Sequence, residues 1–219
     1  MRHVRLAAAL AAPFLLLSCV LSPGRFESSL DIRKDRSFTF SYVGEVIIPE
    51  EDKQASTAEA EDGSRPPADP APAKETAERV AERNALIEAL TKEVGYRSVE
   101  YVGNDTLRVD YLISGRLDRS FVYPLNIDGH AIVPWIAAEV RKDGTVRVMG
   151  LAFGDPEQSV GPLQQPGSTD RREGTFTLTT DATLLMHSNE EGPAPGPGTK
   201  IVWKVTPQSK GIPTAVLRF

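Results

Sequence analysis

Apolar residues recur at every second position through much of the chain beyond Phe26. Phe26, Ser28, Leu30 and Ile32 share one face of the first run, and Phe38, Phe40 and Tyr42 one face of the next. A period of two marks half-buried strands. Lys34-Asp35 reads as the hairpin turn between them, and Pro49 stops the second strand just past Ile48. Later runs repeat the pattern. Ser98 to Val102 leads through a Gly103-Asn104-Asp105 turn into Thr106 to Ser114, where Leu107, Val109, Tyr111 and Ile113 face one way and Arg108 and Asp110 the other. Ser120 to Leu125 follows, then an Asp128-Gly129 turn. Ala131 to Arg141 is apolar on both faces, with Pro134 inside as the sign of a bulge or edge.

Lys142-Asp143-Gly144 closes a hairpin into Thr145 to Phe153. Arg33-Lys34-Asp35 and Arg141-Lys142-Asp143 look alike, which points to shared turn chemistry and not to duplication. After a polar loop from Gly154 to Gly174, Thr175 to His187 reads as one long strand. A Pro-Gly-rich loop, Glu190 to Gly198, precedes Thr199 to Thr206, with Ile201, Trp203 and Val205 alternating. Thr214 to Phe219 is a last strand.

One segment has the helical period. Val80, Ile87, Leu90 and Val94 recur at 3.6-residue spacing within Lys74 to Val94, with Leu86 beside them and Gly95 as a helix stop. Such a helix is about 30 Å long. Another segment has no period at all. Glu51 to Ala73 contains no Leu, Ile, Val, Phe, Tyr or Trp, but carries Pro66-Pro67, Pro70 and Pro72 among acids and alanines. It cannot bury enough to offset the entropy of ordering it, so residues 50–73 read as a disordered insertion. The sum is an α+β domain over residues 26–219: a mainly antiparallel curved sheet of about eight or nine strands with one long helix packed on it.

The N-terminus follows different rules. Met1 to Arg5 is basic, and Leu6 to Leu17 is apolar but too short to span a bilayer, which needs about 20 residues. This is a secretory leader, residues 1–18. It ends on Leu16-Leu17-Ser18-Cys19, which is similar to the bacterial lipobox. The resemblance implies cleavage before Cys19 and lipidation of its thiol, with an acyl group such as palmitate on the new amine. Residues 19–25 then form a short lipidated tether. Val20 stands where an Asp would hold many lipoproteins in the inner membrane, so the anchor is expected in the outer membrane, facing the periplasm. Two or three chains anchor durably where one is marginal.

Charge and cysteine content narrow the functions. The 219 residues carry 25 Lys and Arg against 30 Asp and Glu, a net charge of −5 that falls to −7 once Arg2 and Arg5 leave with the leader. That balance excludes nucleic acid as a partner. Cys19 is the only cysteine, so its lipidation leaves no disulfide, thiolate metal site or cysteine nucleophile. His130 and His187 lack ligand-like partners at metal spacing, and no metal or other cofactor is expected. Ser159, Ser168 and Ser209 lie in loops without a nucleophile elbow. Asp110, Asp118 and Asp128 belong to separate elements, and Arg171-Arg172-Glu173 reads as ordinary loop charge. Phe38, Phe40, Tyr42, Tyr111, Trp135 and Trp203 sit at strand positions that suit core packing, or alternatively an apolar groove.

Three stretches, Thr179-Thr180-Asp181-Ala182, Asn189-Glu190-Glu191-Gly192-Pro193 and Trp203-Lys204-Val205, resemble uncharacterised lipoproteins of alphaproteobacteria, and the hairpin from Leu30 to Val46 fits the same group. More distantly, the order of lipobox, hairpin, helix and further strands is similar to the LppM-like lipoprotein domain of mycobacteria. That resemblance implies a β-rich module in contact with lipid or glycolipid. The acidic, proline-rich insertion departs from it, and it carries over no functional residue. The expectation is a non-enzymatic envelope lipoprotein, bound to the membrane through Cys19, that binds a lipid or other hydrophobic ligand or an envelope partner. The alternatives are an assembly module docking another envelope protein through sheet edges, and an enzyme whose site is not visible in sequence.

Overall fold

A computed structural model of the chain describes residues 21–48, 76–124, 134–154 and 170–219. Cys19, His130, Asp128, Ser159, Ser168 and the 50–73 insertion lie outside these residues. The elements run β1 (Ser22–Ile32), β2 (Ser37–Ile47), α1 (Ala77–Lys92), β3 (Tyr96–Gly103), β4 (Thr106–Arg116), β5 (Phe121–Tyr123), β6 (Ile136–Val140), β7 (Val146–Met149), a 3-10 turn (Leu151–Phe153), β8 (Glu173–Thr180), β9 (Thr183–His187), β10 (Thr199–Val205) and β11 (Thr214–Arg218).

The fold is α+β, but the single curved sheet is replaced by two. One has six strands in the order β10-β8-β1-β2-β4-β3, the other five in the order β5-β6-β7-β11-β9. The reason is the number of aromatic residues that must be buried. Phe40 and Tyr42 on the larger sheet meet Tyr123 on the smaller one at centroid distances of 5.0 and 5.4 Å. Tyr111 lies 4.6 Å from Tyr123, and Tyr42 5.3 Å from Trp135. Toward the other flank, Phe26, Phe153, Phe176 and Trp203 form a second chain of stacked and tilted rings. Each sheet thus covers the apolar face of the other, as in a sandwich. One helix could not cover so much surface, and it does not have to.

The helix takes a smaller part. The Thr76 hydroxyl accepts the Arg79 backbone N–H and caps its start. Of the expected stripe only Leu90 is buried, with Leu86 and Ile87 partly covered against the core, while Val94 stays 78% exposed. The helix packs beside β3. Arg79 pairs with Asp105 in the β3–β4 turn at 2.9 Å, and the Arg83 guanidinium lies 3.8 Å over the Tyr101 ring. Gly95 follows at φ +104°, and a Cβ there would come within 2.6 Å of the Tyr111 ring.

Two further expectations change. The strand read over 175–187 is two strands in different sheets, β8 and β9, parted by a bend at Asp181-Ala182. Ala182 is buried and its N–H is taken by the Thr180 hydroxyl, so the chain turns there to cross between layers. Within the described part of the run over 131–141, which begins at Pro134, the strand is Ile136–Val140, with Pro134 ahead of it. Moreover, β8 runs parallel to β1, a pairing that local hairpin signals cannot show because its partners lie so far apart in sequence.

The two look-alike turns do share their chemistry. Asp35 accepts the Ser37 N–H and hydroxyl at 2.9 and 2.6 Å, and Asp143 those of Thr145 at 3.0 and 2.7 Å. Each turn is closed by the same pair of backbone bonds, at 33–37 and 141–145.

Candidate functional site

At the Leu21 end of the sandwich, the described chain is fixed from its first residue. Leu21 is buried, and its carbonyl accepts the Trp135 indole N–H at 3.1 Å. Strand β1 begins at the next residue, and Ser22, Pro23 and Gly24 are buried as well. The described part of the expected tether, Leu21 to Arg25, is therefore built into the sheet.

Close by, a cleft of about 260 Å³ is lined by Arg25, Glu45, Asp170, Arg171, Glu173 and Pro207. Glu45 is its centre. One carboxylate oxygen accepts from Arg25 Nη2 at 2.6 Å and from Nε at 3.1 Å, and the other from the Arg25 backbone N–H at 3.2 Å. The Arg25 hydrogen bonds hold the Glu45 carboxyl below its ordinary pKa. Arg171 is steadied by the Asn104 carbonyl and the Thr106 hydroxyl at 3.2 and 2.8 Å. Strand register extends the pattern: Glu173 stands opposite Arg25, Glu45 opposite Arg108, and Arg108 opposite Glu100. Opposite charges so alternate across five strands, an arrangement that stabilises cross-strand pairing.

Beneath this row lies Arg172, 1% exposed. Its Nη1 donates to the Ala152 and Gly154 carbonyls at 2.6 and 2.9 Å, and Nη2 faces those of Thr206 and Ser209 at 3.5 Å. What reads in sequence as loop charge is a buried clamp on two loops. Only the neighbouring period-two pattern, which places Arg172 just ahead of a strand, bears on its burial, and that pattern does not separate it from Arg171.

The far end of β1 is about 35 Å away. There the turn at 33–36, the loop at 117–120 and the turn at 141–144 are bonded together. Arg36 Nη2 donates to the Gly144 carbonyl at 2.9 Å, the Leu117 N–H to the Arg36 carbonyl at 2.8 Å, and the Val140 N–H to Ser120 Oγ at 3.0 Å. Asp181 joins them by accepting the Lys34 N–H at 2.6 Å.

The third surface is a sheet edge. Strand β9 is the last of its sheet, and its register to β11 slips between Met186 and Leu184, so Leu185 is the extra residue of a bulge. Leu185 and Met186 are 46% and 47% exposed.

Among the described residues, the remaining sequence candidates do not assemble. Phe38, Phe40, Tyr42, Tyr111, Trp135 and Trp203 are all buried and serve as core. The Tyr42, Tyr96 and Tyr123 hydroxyls are pushed up in pKa by burial, that of Tyr96 to about 12. His187 ends β9, Asp118 pairs with Arg116 in a loop, and Ser209 accepts the Thr206 N–H. Among the described residues no group of three His, Cys, Asp or Glu is placed to hold a metal, and no helix is long and apolar enough to cross a membrane.

No protein-family model matches the chain, and no curated protein matches it. Among solved structures, the NMR structure of the folded domain of Mycobacterium tuberculosis LppM is similar, with a TM-score of 0.38 and 12% identity over 91% of this chain and 92% of that one. At that distance the likeness assigns neither a family nor an activity.

Proposed function

We propose that the protein is a non-enzymatic envelope lipoprotein, held through Cys19 to the periplasmic face of the outer membrane, which docks an envelope protein along the edge of β9 that no other described strand pairs. The anchoring half rests on Leu16-Leu17-Ser18-Cys19 behind a basic and apolar leader. The docking half rests on one observation: two adjacent apolar side chains, Leu185 and Met186, stand half-exposed on an edge strand. Such an edge offers unpaired backbone groups and apolar contacts to an added strand. An enclosed lipid has less support, because the space between the sheets is filled by rings at 4.5 to 6.0 Å, and the cleft near Leu21 has charged walls.

Native mass spectrometry of the protein purified from envelopes tests the docking. A second protein at fixed stoichiometry is expected, and Leu185→Lys should abolish it without loss of the fold. A bare monomer or a retained lipid would reject it. The anchor is tested separately: Cys19→Ser should move the chain out of the membrane fraction, and its retention there would reject lipidation.

A further inference from the structure

The protein is acidic as a whole, yet its far end is not. Lys34, Arg119, Arg141 and Lys142 are exposed there, and none has an ion-pair partner among the described residues. The acids of the same end are already engaged. Asp35 and Asp143 accept the hydroxyl and N–H groups of Ser37 and Thr145, and Asp181 the Lys34 N–H; all three keep their charge, and Arg141 acts on Asp143, but the cations of this end still outnumber its acids. Asp31 and Asp118 are taken by Arg33 and Arg116. The cations are also held in place, since the three turns that carry them are bonded to one another through Arg36, Leu117 and Ser120. The bonded turns keep the cations on one end, so an anion meets them together, although each exposed side chain still loses rotamer freedom on binding.

From this we infer that the far end binds the carboxylate-bearing glycan of the cell wall. The identity of the anion follows from distance. The cluster stands about 35 Å along β1 from the Leu21 end, far beyond the roughly 8 Å over which charge acts at physiological salt. If Leu21 marks the membrane side, the cluster cannot reach the headgroups of the membrane that holds the anchor. The polyanion on the opposite side is the wall polymer, whose carboxylates suit guanidinium groups in particular. The inference rests on the anchoring reading only for this choice of partner.

The experiment is co-sedimentation of the detergent-solubilised full-length protein with purified, protein-free wall sacculi, at low and at physiological salt. Binding that weakens with salt is expected. The triple variant Lys34→Glu, Arg119→Glu, Lys142→Glu should bind roughly ten-fold more weakly, taking each exposed ionic contact at its usual modest strength. Its circular dichroism melt should match the wild type, because none of the three side chains holds the fold. Absence of sacculus binding, or binding that the triple variant retains, overturns the proposal. So does cluster-dependent binding to phosphatidylglycerol vesicles that exceeds binding to sacculi. Release of Cys19→Ser from membranes is scored independently, so a failed anchor and a failed cluster give different results.

Discussion

The two ends of the sandwich handle charge in opposite ways. At the Leu21 end, charged side chains are drawn in and consumed: Glu45 is 9% exposed beneath Arg25, and Arg172 is buried among backbone carbonyls. At the far end, acids are used up as turn caps and cations are left in solvent. Burying a charge is costly unless its partners are complete. The Leu21 end should therefore be sensitive to single changes, and the far end tolerant of them. An end that tolerates change in stability is free to carry binding.

The largest effect is expected at Arg172. Arg172→Leu removes the guanidinium and leaves the Ala152 and Gly154 carbonyls without its Nη1 donor, while the longer contact to Thr206 matters less because that carbonyl also accepts the Ser209 N–H at 3.1 Å. The cost should be on the order of 3 kcal/mol, which lowers Tm by about 6–12 °C for a domain of this size. A thermal melt decides it. A shift under 2 °C would mean that the guanidinium is not a clamp and would remove the main difference between the ends.

Glu45 comes next, and pH separates its contribution. Its folded pKa is depressed by Arg25. Its stabilisation is thus present above the unfolded pKa, about 4.3, and is lost as pH falls through the lower folded value. Glu45→Gln should unfold at lower urea than wild type at pH 7, and the gap should shrink as pH falls toward 3. A gap independent of pH would place the effect in packing against Gly24, whose would-be Cβ lies 2.8 Å from Glu45 Cβ, and not in the ion pair.

The strands and turns behind this contrast are legible in the sequence, but the contrast itself is not. The period-two runs place β2, β4 and β10 nearly to their ends and β1 only from Phe26 on, four residues late, and the turn at 141–144 is readable from its likeness to that at 33–36. These are local signals: alternation, a capping Asp, a glycine. What stayed hidden is non-local. Nothing in Thr175 to His187 marks Asp181-Ala182 as the crossing between sheets, because each half alternates correctly alone. Gly174 and Gly44 look like weak points in their strands, yet they flank Phe26, and a Cβ at either would meet β1 atoms within 2.5 Å. Arg171 and Arg172 are adjacent and chemically identical, and only the packing of two distant loops buries one of them. The β9 edge was invisible for the same reason, since an edge is defined by the strand that fails to arrive.

The smaller effects belong to the far end. Asp35→Ala and Asp143→Ala each remove one carboxylate that accepts an N–H and a hydroxyl, and each should lower the urea midpoint slightly, by less than the Glu45 change. Both carboxyls are held below their ordinary pKa, chiefly by the hydroxyls of Ser37 and Thr145, so both contributions should fade as pH falls through the carboxylate range. The two turns are not independent, however. Arg36 reaches from the first into the Gly144 carbonyl of the second, and Arg36 also covers the Phe219 ring at 5.0 Å. Loosening either turn loosens that bond. In a double-mutant cycle at pH 7 the pair should therefore cost measurably less than the sum of the singles. Adding Arg36→Ala to all three variants should abolish that coupling. Strict additivity in the presence of Arg36 would mean that the turns are merely adjacent, and that the cations they carry are not held as one surface.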